Sequence, residues 1–79
     1  MEMTNENSNE KFRVSFGIDR TDEQEIRDFI LSCDFLENVI INDLGFIADL
    51  EYENIKVISG KLMEKGVSLF SIMRKGADK

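Results

Sequence analysis

In residues 37–52, ENVIINDLGFIADLEY, two apolar runs flank a short polar turn. Asn42 at the start of that turn and Gly45 at its end favour a tight connection, so the segment predicts a β-hairpin. A type I turn with a glycine bulge would place Ile41 and Ile47 on one face. Simple alternation instead groups Val39, Ile41, Phe46, Ala48 and Leu50. The apolar pattern favours the second register, because a slip of one residue would turn the whole set towards water.

Two further segments have the apolar period of strands. Residues 12–18, FRVSFGI, place an apolar side chain at every second position, which predicts a strand with one buried face. Residues 67–75, VSLFSIMRK, are dense in apolar and β-compatible residues and predict a last strand of about six residues.

Two segments have the period of helices. In residues 21–35, Ile26, Phe29, Ile30 and Cys33 fall on one stripe, and Thr21 followed by a glutamine three residues later resembles a capping box. In residues 53–66, a second stripe ends at a glycine that predicts the helix terminus. Its members are Ile55, Ile58 and Leu62.

The predicted order is strand, helix, strand, strand, helix, strand. With right-handed crossovers, this order implies an α+β fold of the ferredoxin-like βαββαβ type, in which two helices cover one face of a four-stranded antiparallel sheet. The start of the chain is rich in Asn and Glu and has no hydrophobic period that could form a buried face. We therefore predict a disordered tail over residues 1–11 and a single domain over residues 12–79.

Composition narrows the classes of function. Sixteen acidic residues against ten basic ones give a net charge of −6, which argues against direct nucleic-acid binding. The chain has no histidine and one cysteine, so we expect no metal, no cofactor and no catalytic activity. Cys33 is interpreted as a buried structural thiol. No run approaches the roughly 18 apolar residues of a membrane-spanning helix, and we expect a cytoplasmic protein without membrane insertion.

Phe46 raises the question of RNA binding, because a Gly-Phe pair within a strand occurs in RNA-recognition sheets. Such a strand carries a basic residue before the glycine, where this chain has Leu44, and further aromatic residues after it. Here Ile47, Ala48 and Asp49 follow instead. Phe46 is therefore predicted to be a core residue.

The sheet face not covered by helices is the predicted partner-binding surface. Alternation that buries the apolar set turns Ile40 and Ile47 outward, beside charged side chains, which suits a protein contact or a homodimer interface. The last strand adds either Leu69 and Met73 or Phe70 and Ile72 to this face. The predicted site residues are Arg13, Ile40, Ile47, Asp49 and Glu51, with Ser15 beside them.

Residues 52–76, YENIKVISGKLMEKGVSLFSIMRKG, are similar to the C-terminal accessory domain of bacterial ABC transporter ATP-binding subunits. The similarity lies in a striped helix that leads through Gly66 and Val67 into a short strand. The resemblance implies a non-catalytic accessory or regulatory domain that contacts a transporter ATPase. The chain carries no Walker motif, so the resemblance implies no ATP hydrolysis.

The acidic balance supports an alternative from another class. Asp22, Glu23 and Glu25 cluster at the start of the first helix, whereas basic residues predominate from Lys56 onward. An acidic face of this kind is typical of a free-standing phage-type inhibitor that mimics nucleic-acid charge. Such a protein would block a basic nucleic-acid-binding complex of the host.

Overall fold

The computed structural model describes residues 10–75 of the chain, and its elements follow in the predicted order. They are β1 (Lys11–Ile18), α1 (Gln24–Leu31), β2 (Glu37–Asn42), β3 (Gly45–Glu51), α2 (Tyr52–Glu64) and β4 (Leu69–Lys75). β1 begins one residue before the predicted start. The rest of the predicted tail, up to residue 9, lies outside the described residues.

The four strands form one antiparallel sheet in the order β2-β3-β1-β4. This is the predicted α+β, ferredoxin-like arrangement. Both helices pack on the same sheet face, where alternate residues of β1 and β3 meet apolar residues of α1 and α2 in one core. At its centre the Phe16 and Phe46 rings stack with centroids 4.6 Å apart, and each side chain is at most 1% exposed. The prediction that Phe46 is a core residue is confirmed.

The hairpin has the register that the apolar pattern favours. Ile40 pairs with Ile47, and Ile41 pairs with Phe46, across a two-residue turn. The Asn42 side-chain Oδ1 accepts hydrogen bonds from the Leu44 amide at 2.9 Å and the Gly45 amide at 3.0 Å, which closes the turn. Gly45 is required there, because a Cβ at this position would overlap the Phe16 carbonyl oxygen.

The predicted capping box of α1 is wrong. Thr21 is buried, and its hydroxyl donates to the Asp43 carbonyl oxygen at 3.2 Å, so it ties the start of this segment to the hairpin turn. α1 begins at Gln24, and Glu23 occupies the N-cap position without a side-chain hydrogen bond to the helix. The Thr21 hydroxyl therefore bonds to a residue distant in sequence instead of capping the helix.

Arg20 joins the beginning of α1 to the end of α2. Its guanidinium Nε and Nη2 donate to the two carboxylate oxygens of Glu23, at 3.0 and 2.8 Å. Its Nη1 donates to the carbonyl oxygens of Lys65 and Gly66. Gly66 follows the end of α2 with a left-handed φ of 81°, the conformation in which a glycine commonly terminates a helix, as its sequence position predicts.

Cys33 lies just after α1 and is buried, as predicted. Its Sγ donates to the Phe29 carbonyl oxygen at 3.3 Å. Neither helix within residues 10–75 is long and apolar enough to cross a membrane.

Candidate functional site

The face of the sheet opposite the helices carries a row of three apolar side chains and one serine that crosses all four strands. Strand pairing aligns Ile40 of β2 with Ile47 of β3, Ser15 of β1 and Met73 of β4. Cross-strand partners project from the same face of a sheet, so these four side chains form a line. Ile40 is 53% exposed and Met73 is 61% exposed, whereas Ile47 is partly buried between its neighbours. We call this line the apolar row.

A charged row borders the apolar row on one side. Here Arg13 pairs with Asp49 on β3 and with Lys75 on β4. The Arg13 Nε lies 3.2 Å from Asp49 Oδ1, and Asn38 Nδ2 donates to Asp49 Oδ2 at 2.8 Å. Asn38 reaches this carboxylate because β2 bulges there, and its φ is 53°. The Asp49 carboxylate is therefore held from both neighbouring strands.

A row of small residues borders the apolar row on the other side. Gly17 of β1 pairs with Gly45 of β3 and with Ser71 of β4, and Asn42 completes the row on β2. A Cβ at Gly17 would lie 2.6 Å from Ser71 Oγ, so that hydroxyl leans over the glycine. The small side chains leave a depression of about 280 Å³, which we call the trough. Leu44, 81% exposed, also lines the trough.

The structure places four of the five predicted site residues in the apolar row and the charged row. Arg13 and Asp49 are bonded in the charged row, and Ile40 and Ile47 lie in the apolar row. Glu51 belongs to the same face but lies farther along β3, where it pairs with Lys11 and occupies the N-cap position of α2.

Strand β4 contributes only part of what was predicted. Met73 faces outward beside Ser15, but Leu69 pairs with Ile18 on the helix-covered side, because a bulge shifts the register between Gly17 and Ile18. Asn38, Lys75 and the trough were not predicted, since neither apolar period nor turn chemistry marks them in the sequence.

One of the three acidic residues predicted for the alternative function is already paired with an arginine. Both carboxylate oxygens of Glu23 accept hydrogen bonds from Arg20, and this pairing lowers the pKa of Glu23 below its ordinary value. Asp22 and Glu25 are exposed. Among the contacts within residues 10–75, Glu23 is ion-paired with Arg20, whereas Asp22 and Glu25 form no ion pair.

Residues 10–75 contain neither a metal-binding cluster nor a thiol of lowered pKa. No group of three or more Asp, Glu or Cys side chains within residues 10–75 is placed to hold a metal ion. Burial raises the pKa of the Cys33 thiol, and the nearby Lys61 opposes this shift only in part. A raised pKa keeps the thiol neutral and a poor nucleophile near neutral pH.

Comparisons of the chain with protein-family models, with curated proteins and with solved structures find no match in any of the three.

Proposed function

We propose that this protein is a non-catalytic accessory or regulatory module that binds another protein through the open sheet face. The observation that carries the proposal is the apolar row, which lies between the charged row and the trough. Interfaces between proteins combine an apolar centre with a polar rim in the same way. A partner side chain that enters the trough would meet the backbone at Gly17 and Gly45.

The charged row suits this role because its central carboxylate already has its partners before another protein binds. Arg13 and Asn38 both hold the Asp49 carboxylate through the contacts described above. Side chains that are fixed before binding lose less conformational entropy on binding, which favours affinity and orientation. Surface charges of this kind contribute more to specificity than to affinity.

The proposed partner is a transporter ATPase subunit in the cytoplasm. This choice is supported by the similarity of residues 52–76 to the accessory domain of such subunits. A competing proposal is the acidic inhibitor of a basic nucleic-acid-binding complex. It is supported by the net charge of −6 and by the exposure of Asp22 and Glu25.

Affinity capture with matched variants tests the proposal. The double variant Ile40→Ser with Ile47→Ser should bind the partner at least about tenfold more weakly than the wild type, because a buried apolar centre contributes most of an interface's affinity. The matched control, Val57→Ser with Met63→Ser, removes two exposed apolar side chains from α2 and should bind normally.

The salt dependence of binding distinguishes the two proposed partners. Recovery of a transporter ATPase at both low and high ionic strength supports the accessory role. A partner that binds at low salt only, is lost on Asp22→Lys with Glu25→Lys, and ignores the Ile40 and Ile47 changes would overturn it in favour of the inhibitor.

A further inference from the structure

Strand β4 is an edge of the sheet, and its outer side is open within residues 10–75. It pairs with β1 on one side and with no described strand on the other. An edge strand presents unpaired backbone groups, and proteins usually protect such edges with bulges, prolines or inward charges. The composition and exposure of β4 therefore show what this edge is suited to meet.

The two edges of the sheet differ in how they are protected. On β2, a bulge at Asn38 interrupts the ladder, and Glu37 at the end of the strand forms an ion pair with Lys11 at 3.6 Å. β4 has a bulge only near its start, where Phe70 has no partner on β1, and its remaining five residues run in continuous register. Phe70 is 70% exposed and Ile72 is 42% exposed. Strand β4 is therefore the edge better suited to pair with another strand.

Charge differs between the two ends of β4. The strand ends in Arg74 and Lys75 and contains no acidic residue. Next to the first residues of β4 lies a depression of about 460 Å³, whose lining includes Phe70, the three carboxylates of Asp19, Asp22 and Asp43, and one cation, Arg20. One end of the edge is therefore basic and the other is acidic.

We propose that two copies of this chain pair through their β4 edges, antiparallel and about a two-fold axis near Ile72. Antiparallel pairing about Ile72 places Arg74 and Lys75 of each copy opposite Phe70 and Leu69 of the other, beside the acidic depression that Phe70 lines, so the charges at both ends are complementary. It also pairs the free backbone groups of β4 and covers Phe70 and Ile72, and it joins two four-stranded sheets into one. A parallel arrangement would instead place like charges together.

This dimer leaves most of the open sheet face free, so it goes beyond the proposed function and does not depend on it. Ile40 and Ile47 lie on β2 and β3, at least two strands from the paired edge. Dimerisation by β4 would present two copies of the apolar row on one continuous sheet.

Charge reversal tests the pairing. We expect sedimentation analysis of the full chain, over about 1 µM to 1 mM, to show a monomer–dimer equilibrium. Arg74→Glu with Lys75→Glu, and separately Asp22→Lys with Asp43→Lys, should each weaken the dimer by at least about tenfold. An equimolar mixture of the two variants should form a heterodimer of near wild-type strength, because both of its ends are complementary again. Failure of the mixture to associate would overturn the charge pairing.

Hydrogen exchange locates the contact. Alternate amides of residues 69–75 should become protected as concentration rises, because each outward amide gains a partner strand. Three results would overturn the proposal. They are a monomer at all concentrations, a dimer that is lost on Ile40→Ser with Ile47→Ser while β4 exchange is unchanged, and growth of open polymers. Phe70→Lys, a charge at an exposed position, should weaken the dimer without unfolding the chain.

Discussion

Replacement of Phe46 by alanine tests whether the core is organised as described. The Phe46 ring is 1% exposed and stacks on Phe16 at 4.6 Å. Truncation of a buried phenylalanine costs about 3 to 5 kcal/mol, of which the ring pair accounts for about 1. A chain of 79 residues has about 4 to 12 kcal/mol of stability in total. Phe46→Ala should therefore remove a large share of the free energy of unfolding.

Urea unfolding followed by circular dichroism measures this loss. With a slope of roughly 1 kcal/mol per molar urea for a small domain, the midpoint should fall by about 3 M or more. Phe46→Leu keeps most of the apolar volume and should cost only roughly 1 to 2 kcal/mol, so it remains measurable if the alanine variant is unfolded.

Phe70→Ala is the matched control, because Phe70 is 70% exposed and should cost less than about 0.5 kcal/mol at a low protein concentration. A Phe46→Ala variant as stable as Phe70→Ala would contradict the account of the core. It would also reopen the interpretation of Phe46 as an exposed base-stacking residue.

The remaining predictions concern single side chains. Cys33→Ala should cost about 1 kcal/mol, and the native thiol should react with a thiol reagent much more slowly than it does in urea; fast labelling of the folded chain would contradict its burial. Burial raises the pKa of Cys33, so its favourable contribution to the free energy of unfolding is present below the unfolded pKa of about 8.5 and is lost as pH rises toward the folded value. Cys33→Ala should therefore reduce the fall in the free energy of unfolding over that pH range. Asn42→Ala removes the acceptor of two turn amides and should cost about 1 kcal/mol in thermal unfolding, whereas Asn42→Asp keeps an acceptor and should cost less; equal losses would show that the turn does not depend on that oxygen.

The elements and the hairpin register could be predicted from the sequence because one face of the sheet is buried. Alternation through Val14 and Phe16, and helical spacing through Ile58 and Leu62, assign these residues to the core, and the structure buries all four. A shift of one residue in the hairpin would have exposed Phe46, so the apolar pattern alone was enough to select the register.

The start of α1 could not be predicted from local sequence. Thr21 has the residue type of a cap, but its hydroxyl bonds to a carbonyl 22 positions away, which no local rule anticipates. The pair formed by Arg20 and Glu23 is local, yet its role depends on the end of α2, which is distant in sequence.

The two bulges limited prediction of the candidate site. Asn38 reaches Asp49 only because β2 takes an extra residue, and Leu69 turns to the helix side only because β4 does the same. A bulge is decided by the pairing of two strands, so the sequence of one strand does not reveal it. Arg13, Ile40, Ile47 and Asp49 were predictable because they lie in regular alternation between the bulges.

Site-specific photo-crosslinking in cells shows directly whether the open sheet face binds a protein partner. A photoreactive residue at position 40 lies at the end of the apolar row farthest from β4, and one at position 57 lies on exposed α2 as a control. A third at position 22 reports on the acidic cluster. We expect a specific adduct of one partner from position 40, lost when Ile47→Ser is added, and none from position 57. An adduct of that partner from position 22 or 57, with none from position 40, would contradict this expectation.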